Sequence, residues 1–180
     1  MLQMSSGRIK RLHLRFLRTA GLIFTLLVIV VHLPAAWAQI RNDHLIVPRL
    51  RVGPMTLGMA AAELTQIMGS PSSKRPGEVD VYNWRDVSAT VTNDGLWTTQ
   101  ICTFDPLYIT SDGLHVGSTD QSVTALLGEP KYSRVSNSWW GQSYSNLYWP
   151  GLMMSVHLKG FDVNHSVWKI CVNHFSAMAE

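Results

Sequence analysis

Gly117–Pro130 reads GSTDQSVTALLGEP, and fifty-nine positions earlier Gly58–Pro71 reads GMAAAELTQIMGSP, with two glycines and a proline at the same offsets. Between these marks Leu64, Ile67 and Met68 correspond to Val123, Leu126 and Leu127, and Thr65 corresponds to Thr124. Upstream, Met55 and Leu57 correspond to Leu114 and Val116. Similarity at one fixed offset points to an internal duplication. Apolar residues at i, i+3 and i+4 give each copy the buried stripe of a short amphipathic helix. Gly69 and Gly128 stand where a helix ends on a residue of positive φ, and Pro71 and Pro130 stop any continuation. Ser118 and Gln121 predict a capping box in the second copy, whereas Met59 gives the first helix a weaker start. MTLG and LHVG, just ahead of each helix, read as short extended entries.

Downstream of each helix the chemistry turns to strands. DVYNWRD, VSATVT and LWTTQICTF follow the first copy, and Asn93-Asp94-Gly95 is a hairpin signal between the last two. SYSNLYW, LMMSVHL and SVWKICVNHF follow the second. Trp84 aligns with Trp149 at an offset of 65, and Ile101-Cys102 with Ile170-Cys171 at 69. The second copy has therefore gained six residues between helix and sheet and four more in a later hairpin. The expectation is an α+β fold of two tandem pseudo-repeats, each a helix followed by a three-stranded antiparallel meander. The two would pack as one compact domain or share a sheet, because a unit of 60 to 70 residues is marginal alone. The predicted boundaries are residues 1–38 for a signal peptide, 39–48 for a lead-in, 49–108 for unit 1 and 109–180 for unit 2.

The leader reading rests on Arg8, Lys10, Arg11, Arg15 and Arg18, the apolar run from Ala20 to Val31, and Ala36-Trp37-Ala38 as a cleavage site. An uncleaved anchor is the alternative; either way the rest of the chain is expected outside the cytoplasm, periplasmic or secreted. Five of the 15 basic residues and none of the 12 acidic ones lie in this leader, so the remaining 142 residues carry a net charge of −2. The electrostatic footprint of a nucleic-acid binder is missing. No membrane span is expected after cleavage. The two cysteines, Cys102 and Cys171, occupy equivalent places in the last strand of each unit. An oxidising compartment favours a disulfide between them. Two free, buried thiols at a repeated core position are the alternative, since one ancestral unit had no second cysteine to pair with.

Gly-Met at a helix start, an apolar triplet, Gly-x-Pro and then a meander resemble a family of exported bacterial modules. It includes the small lipoprotein subunit of the outer-membrane β-barrel assembly machine and the β-lactamase inhibitory proteins, which carry the unit in tandem. The resemblance covers most of residues 49 to 175 and rests on GMAAAELTQIMGSP and GSTDQSVTALLGEP. It implies a non-enzymatic protein that presents a sheet face or edge to a protein partner in the cell envelope. Two departures stand out: no cysteine follows the cleavage site, and no inhibitor's contact residues are matched.

The six-residue gain falls near SNSWWGQSYSNLYWPG, from Ser136 to Gly151, where Trp139, Trp140, Tyr144, Tyr148 and Trp149 crowd among neutral polar residues. Rings on such a background bury large area at little entropic cost and are the candidate binding residues. Trp149, and with it Tyr148, has the competing role of core packing, because Trp149 matches Trp84. Stacking on glycan or peptidoglycan rings calls for the same residue types and is a second reading. His157 and His165, flanking a turn with Asp162 near its tip, are the only hint of a metal-dependent factor, and exposed turn histidines are the plainer account. No G-x-S-x-G, P-loop, G-x-G-x-x-G, HExxH or CxxC occurs, so no cofactor or metal and no enzymatic activity is expected. Asp80, Asp86, Asp94 and Asp112 are read as turn or strand-end acids.

Overall fold

The computed structural model describes residues 43–137, 143–160 and 165–174, all within one compact unit. The leader lies outside them. Twelve strands and two helices are present among the described residues, so the chain mixes α and β and is mostly sheet.

Helices α1 (Ala61–Met68) and α2 (Asp120–Leu127) arise at the two related stretches. Each buries the first residue of its apolar triplet, Leu64 or Val123, completely. Each ends on glycine with φ near +80° and ψ near 180°, +82° and −174° at Gly69, +74° and −171° at Gly128. That combination is open to glycine almost alone, a stricter demand than the left-handed cap expected from sequence. The N-termini differ from expectation. Thr119 rather than Ser118 caps α2, its Oγ1 accepting from the Ser122 amide at 3.2 Å. Ser118 is taken up one turn earlier, where its Oγ accepts from the His115 amide. In α1 the Ala60 amide donates to Glu63, so the first helix is also tied at its start.

Strands β4 (Ser73–Arg75), β5 (Val79–Asn83), β6 (Val87–Thr92) and β7 (Thr98–Thr103) follow α1 as an antiparallel run. Strands β9 (Tyr132–Asn137), β10 (Ser143–Trp149), β11 (Met154–Gly160) and β12 (Ser166–Asn173) follow α2 in the same way. Each helix is thus followed by four strands, not three. The missed ones, β4 and β9, are edge strands whose described side chains are all exposed. They therefore lack the apolar alternation that marks a half-buried strand. The β9–β10 hairpin is longer than β4–β5, pairing six residues of each strand where β4–β5 pairs three.

The two runs join edge to edge into one eight-stranded sheet, in the order β4-β5-β6-β7-β12-β11-β10-β9. The β7–β12 seam sets Cys171 directly opposite Cys102. Their sulfurs form a disulfide with Cα atoms 4.0 Å apart. Strands β1 (Leu45–Val47), β2 (Arg51–Val52), β3 (Met55–Thr56) and β8 (Ile109–Thr110) form a smaller sheet in the order β3-β2-β1-β8. Strand β1 comes from the segment read as a lead-in. It is an inner strand of this sheet because Ile46 has apolar surface to bury and joins the core.

The core lies between the helices and one face of the large sheet. Tyr82, Trp84, Val87, Ala89, Val91, Ile101, Trp149, Met154, Val156, Ile170 and Val172 point inward to meet Leu64 and Val123. Two tryptophans do equivalent work there: Trp84 Nε1 donates to the Gly69 carbonyl at 2.9 Å, and Trp149 Nε1 to the Gly128 carbonyl at 3.2 Å. An indole at the end of the second strand of each run thus satisfies the carbonyl that a helix end leaves orphaned. Asp80, read as a turn acid, is in fact in β5, buried and paired with Lys74 at 2.8 Å.

Candidate functional site

Strands alternate sides, so the residues between the core positions of the large sheet form its second face. Its middle is buried, with Cys171, Ser155, Asn173 and Cys102 between 0% and 4% exposed, while its margins are accessible, Phe104 at 38% and Tyr132 at 55%. On β10 this face carries Tyr144, Asn146 and Tyr148; on β11, Ser155, His157 and Lys159; on β12, Lys169, Cys171 and Asn173. On β7 it carries Gln100 and Cys102, with Phe104 just beyond.

A chain of hydrogen bonds crosses four of these strands. Gln100 Nε2 donates to Asn173 Oδ1 at 2.5 Å, and Asn173 Nδ2 donates to Ser155 Oγ at 3.2 Å. The Ser155 hydroxyl donates to His157 Nε2 at 3.3 Å, and His157 Nδ1 donates to Asn146 Oδ1 at 2.5 Å. Every group donates to the next, an order in which each bond polarises its neighbour. With Nδ1 donating to the Asn146 carbonyl, the neutral imidazole leaves Nε2 free to accept from Ser155. Burial pushes His157 down to about 3, and the Lys169 charge adds to the shift. Burial lowers the Lys169 amine as well.

Cys171 Sγ lies 3.7 Å from His157 Nε2, so a sulfur, an imidazole and an amide are in line. A nucleophile, a base and an orienting group have that arrangement in hydrolytic sites. Here Cys171 is bonded to Cys102, and Ser155, the other group on Nε2, is only 1% exposed. Neither presents an open nucleophile in this state; the order they share rigidifies the face.

Beside the polar chain stands a group of rings. The β11–β12 pairing slips after His157, which faces Lys169 while Leu158 faces Val167, so Trp168 is the extra residue of a bulge. A bulge turns a side chain that alternation alone would send inward. The Trp168 ring lies 5.8 Å from both Phe104 and Tyr144 and 6.2 Å from His157, and Lys169 Nζ is 5.0 Å from its centroid. Trp168 Nε1 is sealed from solvent and has no hydrogen-bond partner among the described residues.

The aromatic residues singled out from sequence separate into three groups. Tyr144 and Tyr148 are half-buried on the open face, Tyr144 against Trp168 and Tyr148 opposite the exposed Tyr132. Trp149 is removed from the candidate surface: it is 6% exposed, points into the core and is held by Gly128. Trp139 and Trp140 lie outside the described residues. The histidine arrangement is also corrected. His157 is paired with Lys169 and buried, while His165 lies 4.0 Å from Asp120 at the start of α2, so the two histidines do not converge. Asp162 lies outside the described residues, and no metal-ligand cluster occurs among the residues inside them.

Sequence reading missed Trp168 and the Gln100–Asn173–Ser155–His157–Asn146 chain. The signal was present in part, as single polar residues alternating with apolar ones in SVHL, ICVN and QIC. Concavities on the helix side are less organised: one of about 440 Å³ includes His115, Ser118 and Ser122, and one of about 340 Å³ includes Trp84, Asp86, Asp105 and Tyr108.

No protein-family model matches the chain, and no curated protein matches it. Among solved structures it is similar to the uncharacterized protein YfeY of Escherichia coli, at 12% identity and a TM-score of 0.54, over 74% of this chain and 100% of that one. It is also similar to an extracellular protein of Bacillus anthracis containing an SCP domain, at 12% identity and a TM-score of 0.43, over 68% and 45% of the two chains. A third, the DUF4309 family protein YjgB of Bacillus subtilis, is 14% identical with a TM-score of 0.42 over 64% and 78%. The first likeness is one of fold. No helix among the described residues is long and apolar enough to cross a membrane, which says nothing of β-barrels.

Proposed function

We propose that the protein is an exported binding module that recognises another envelope or secreted protein through the open face of its large sheet. The observation that carries this reading is the face itself. It holds Phe104, Trp168, Tyr144 and Tyr148 around a buried, hydrogen-bonded polar chain, with Phe104 exposed and Tyr144, Tyr148 and Trp168 half-buried. Rings held against an ordered polar chain offer large contact area at small entropic cost. The basic, apolar leader and the Cys102–Cys171 disulfide support export. The repeated indole-to-glycine hydrogen bonds and the matching glycine caps support a duplicated helix-and-meander unit, now fused into one sheet, as in the tandem inhibitory proteins that the sequence resembles.

Photo-crosslinking tests the reading in the exported protein as it is made. A benzophenone amino acid is placed at Tyr144, at Phe104, or at Leu126, which is 40% exposed on the helix side. Adducts with one protein partner are expected from the first two positions and not from the third. Adducts from Leu126 alone would put the partner on the wrong side and end the proposal.

A further inference from the structure

The open face has a charge pattern at odds with the chain as a whole. Pairing registers place Arg75 on β4, Arg134 on β9, Lys159 on β11 and Lys169 on β12 on this face. The other outward strand positions are neutral: Ser73, Val79, Val81, Asn83, Ser88, Thr90, Thr92, Gln100 and those of the polar chain and rings. No Asp or Glu stands at an outward position of any of the eight strands, although the mature chain has a net charge of −2. The acids are elsewhere: Asp80 points to the helix side, Glu63 and Asp120 start helices, and Asp86, Asp94, Asp105 and Glu78 occupy turns.

Among the described residues none of the four cations makes an ion pair. Lys169 is half-buried, over the Trp168 ring, with burial lowering its basicity and no carboxylate paired with it among the described residues. A partly desolvated ammonium without a counter-ion costs stability. A carboxylate from outside would remove that penalty.

We infer that the open face docks an acidic protein surface, with a carboxylate of the partner seated at Lys169 and flanking acids met by Arg134 and Lys159. The inference rests on the proposed function and adds the chemistry of the partner. Charge spacing argues against a nucleic acid. Eight strands at about 4.8 Å span roughly 35 Å, so four cations are far sparser than phosphates at about 3.4 Å along each strand of a duplex. A protein surface needs only a few charges set among rings, as found here.

The test uses the mature protein and four probes: a Glu/Gly copolymer peptide, its Lys/Gly counterpart, oligothymidylate, and phosphatidylglycerol vesicles. Titration calorimetry should show binding of the acidic peptide alone, weakening about tenfold between roughly 50 and 300 mM salt. Lys169→Glu and Arg134→Glu should each weaken it about tenfold or more, while Arg85→Glu, a change at an exposed turn, leaves it unchanged. Arg134 is exposed on an edge strand, so its variant keeps the test valid if Lys169→Glu fails to fold. No binding of the acidic peptide, binding indifferent to both substitutions, or preference for oligothymidylate or vesicles would overturn the inference. Failure here with persistent Tyr144 adducts to a neutral or basic partner would leave the binding face standing and remove only its charge class. Loss of both results would remove the face as well.

Discussion

Protonation of His157 should govern acid stability. The imidazole is 9% exposed and bonded to Asn146 and Ser155, and burial, with the Lys169 charge, pushes its pKa down to about 3 from 6.5. Above pH 6.5 both folded and unfolded chains carry it neutral, so it adds no pH dependence. Below 6.5 the unfolded chain takes up a proton that the folded chain refuses, and stability falls as pH falls. The slope is about 1.4 kcal/mol per pH unit, which amounts to about 3 kcal/mol at pH 4.5 and about 5 kcal/mol by pH 3, where the fold itself protonates. Asp43 and Asp94 have carboxyls held below the usual value, and their stabilisation is lost only below about pH 4, outside the window from 6.5 to 4.5. Urea denaturation followed by tryptophan fluorescence at pH 7.5, 5.5 and 4.5 measures the effect. His157→Gln keeps a donor for Asn146 and an acceptor for Ser155 but does not titrate, so its stability should be flatter by most of that slope. Parallel pH profiles for the two proteins would refute the reasoning, because the proton uptake would then belong to another group.

Two further perturbations test the packing. The disulfide closes a loop with a sequence separation of 69, so Cys102→Ala with Cys171→Ala should lower stability by about 4 kcal/mol in the chain-entropy account; an unchanged urea midpoint would count against the bond, as would free thiols in the unreduced mass. Trp84→Phe and Trp149→Phe each strand a glycine carbonyl at a helix end and should each cost about 1–3 kcal/mol by thermal or chemical denaturation. A silent change at either would show that its hydrogen bond contributes nothing.

The parts of the fold legible in the sequence are those with local causes. The two helices, their glycine ends, the Asn93-Asp94-Gly95 hairpin and six strands of the large sheet follow from periodicity and turn chemistry within a dozen residues of each other. Edge strands β4 and β9 escaped because an exposed strand carries no burial pattern. Strand β1 escaped because its partners, β2 and β8, are distributed along the chain. Of the candidate residues, Tyr144 and Tyr148 lie on the outer face of the large sheet and Trp149 in the core, since one step along a strand reverses the face and composition is blind to that step.

What the sequence determined by itself is therefore the set of elements and the apolar stripes that they must bury. Only the tertiary structure decided how the two runs meet. Joining β7 to β12 brings Cys102 to Cys171 and Gln100 to Asn173, residues about seventy positions apart. The bulge at Trp168 then turns an indole outward, and among the described strand positions of that face the only charged residues are cations. These features depend on register between distant strands, which is fixed by the packing of the whole core and by no local run of residues.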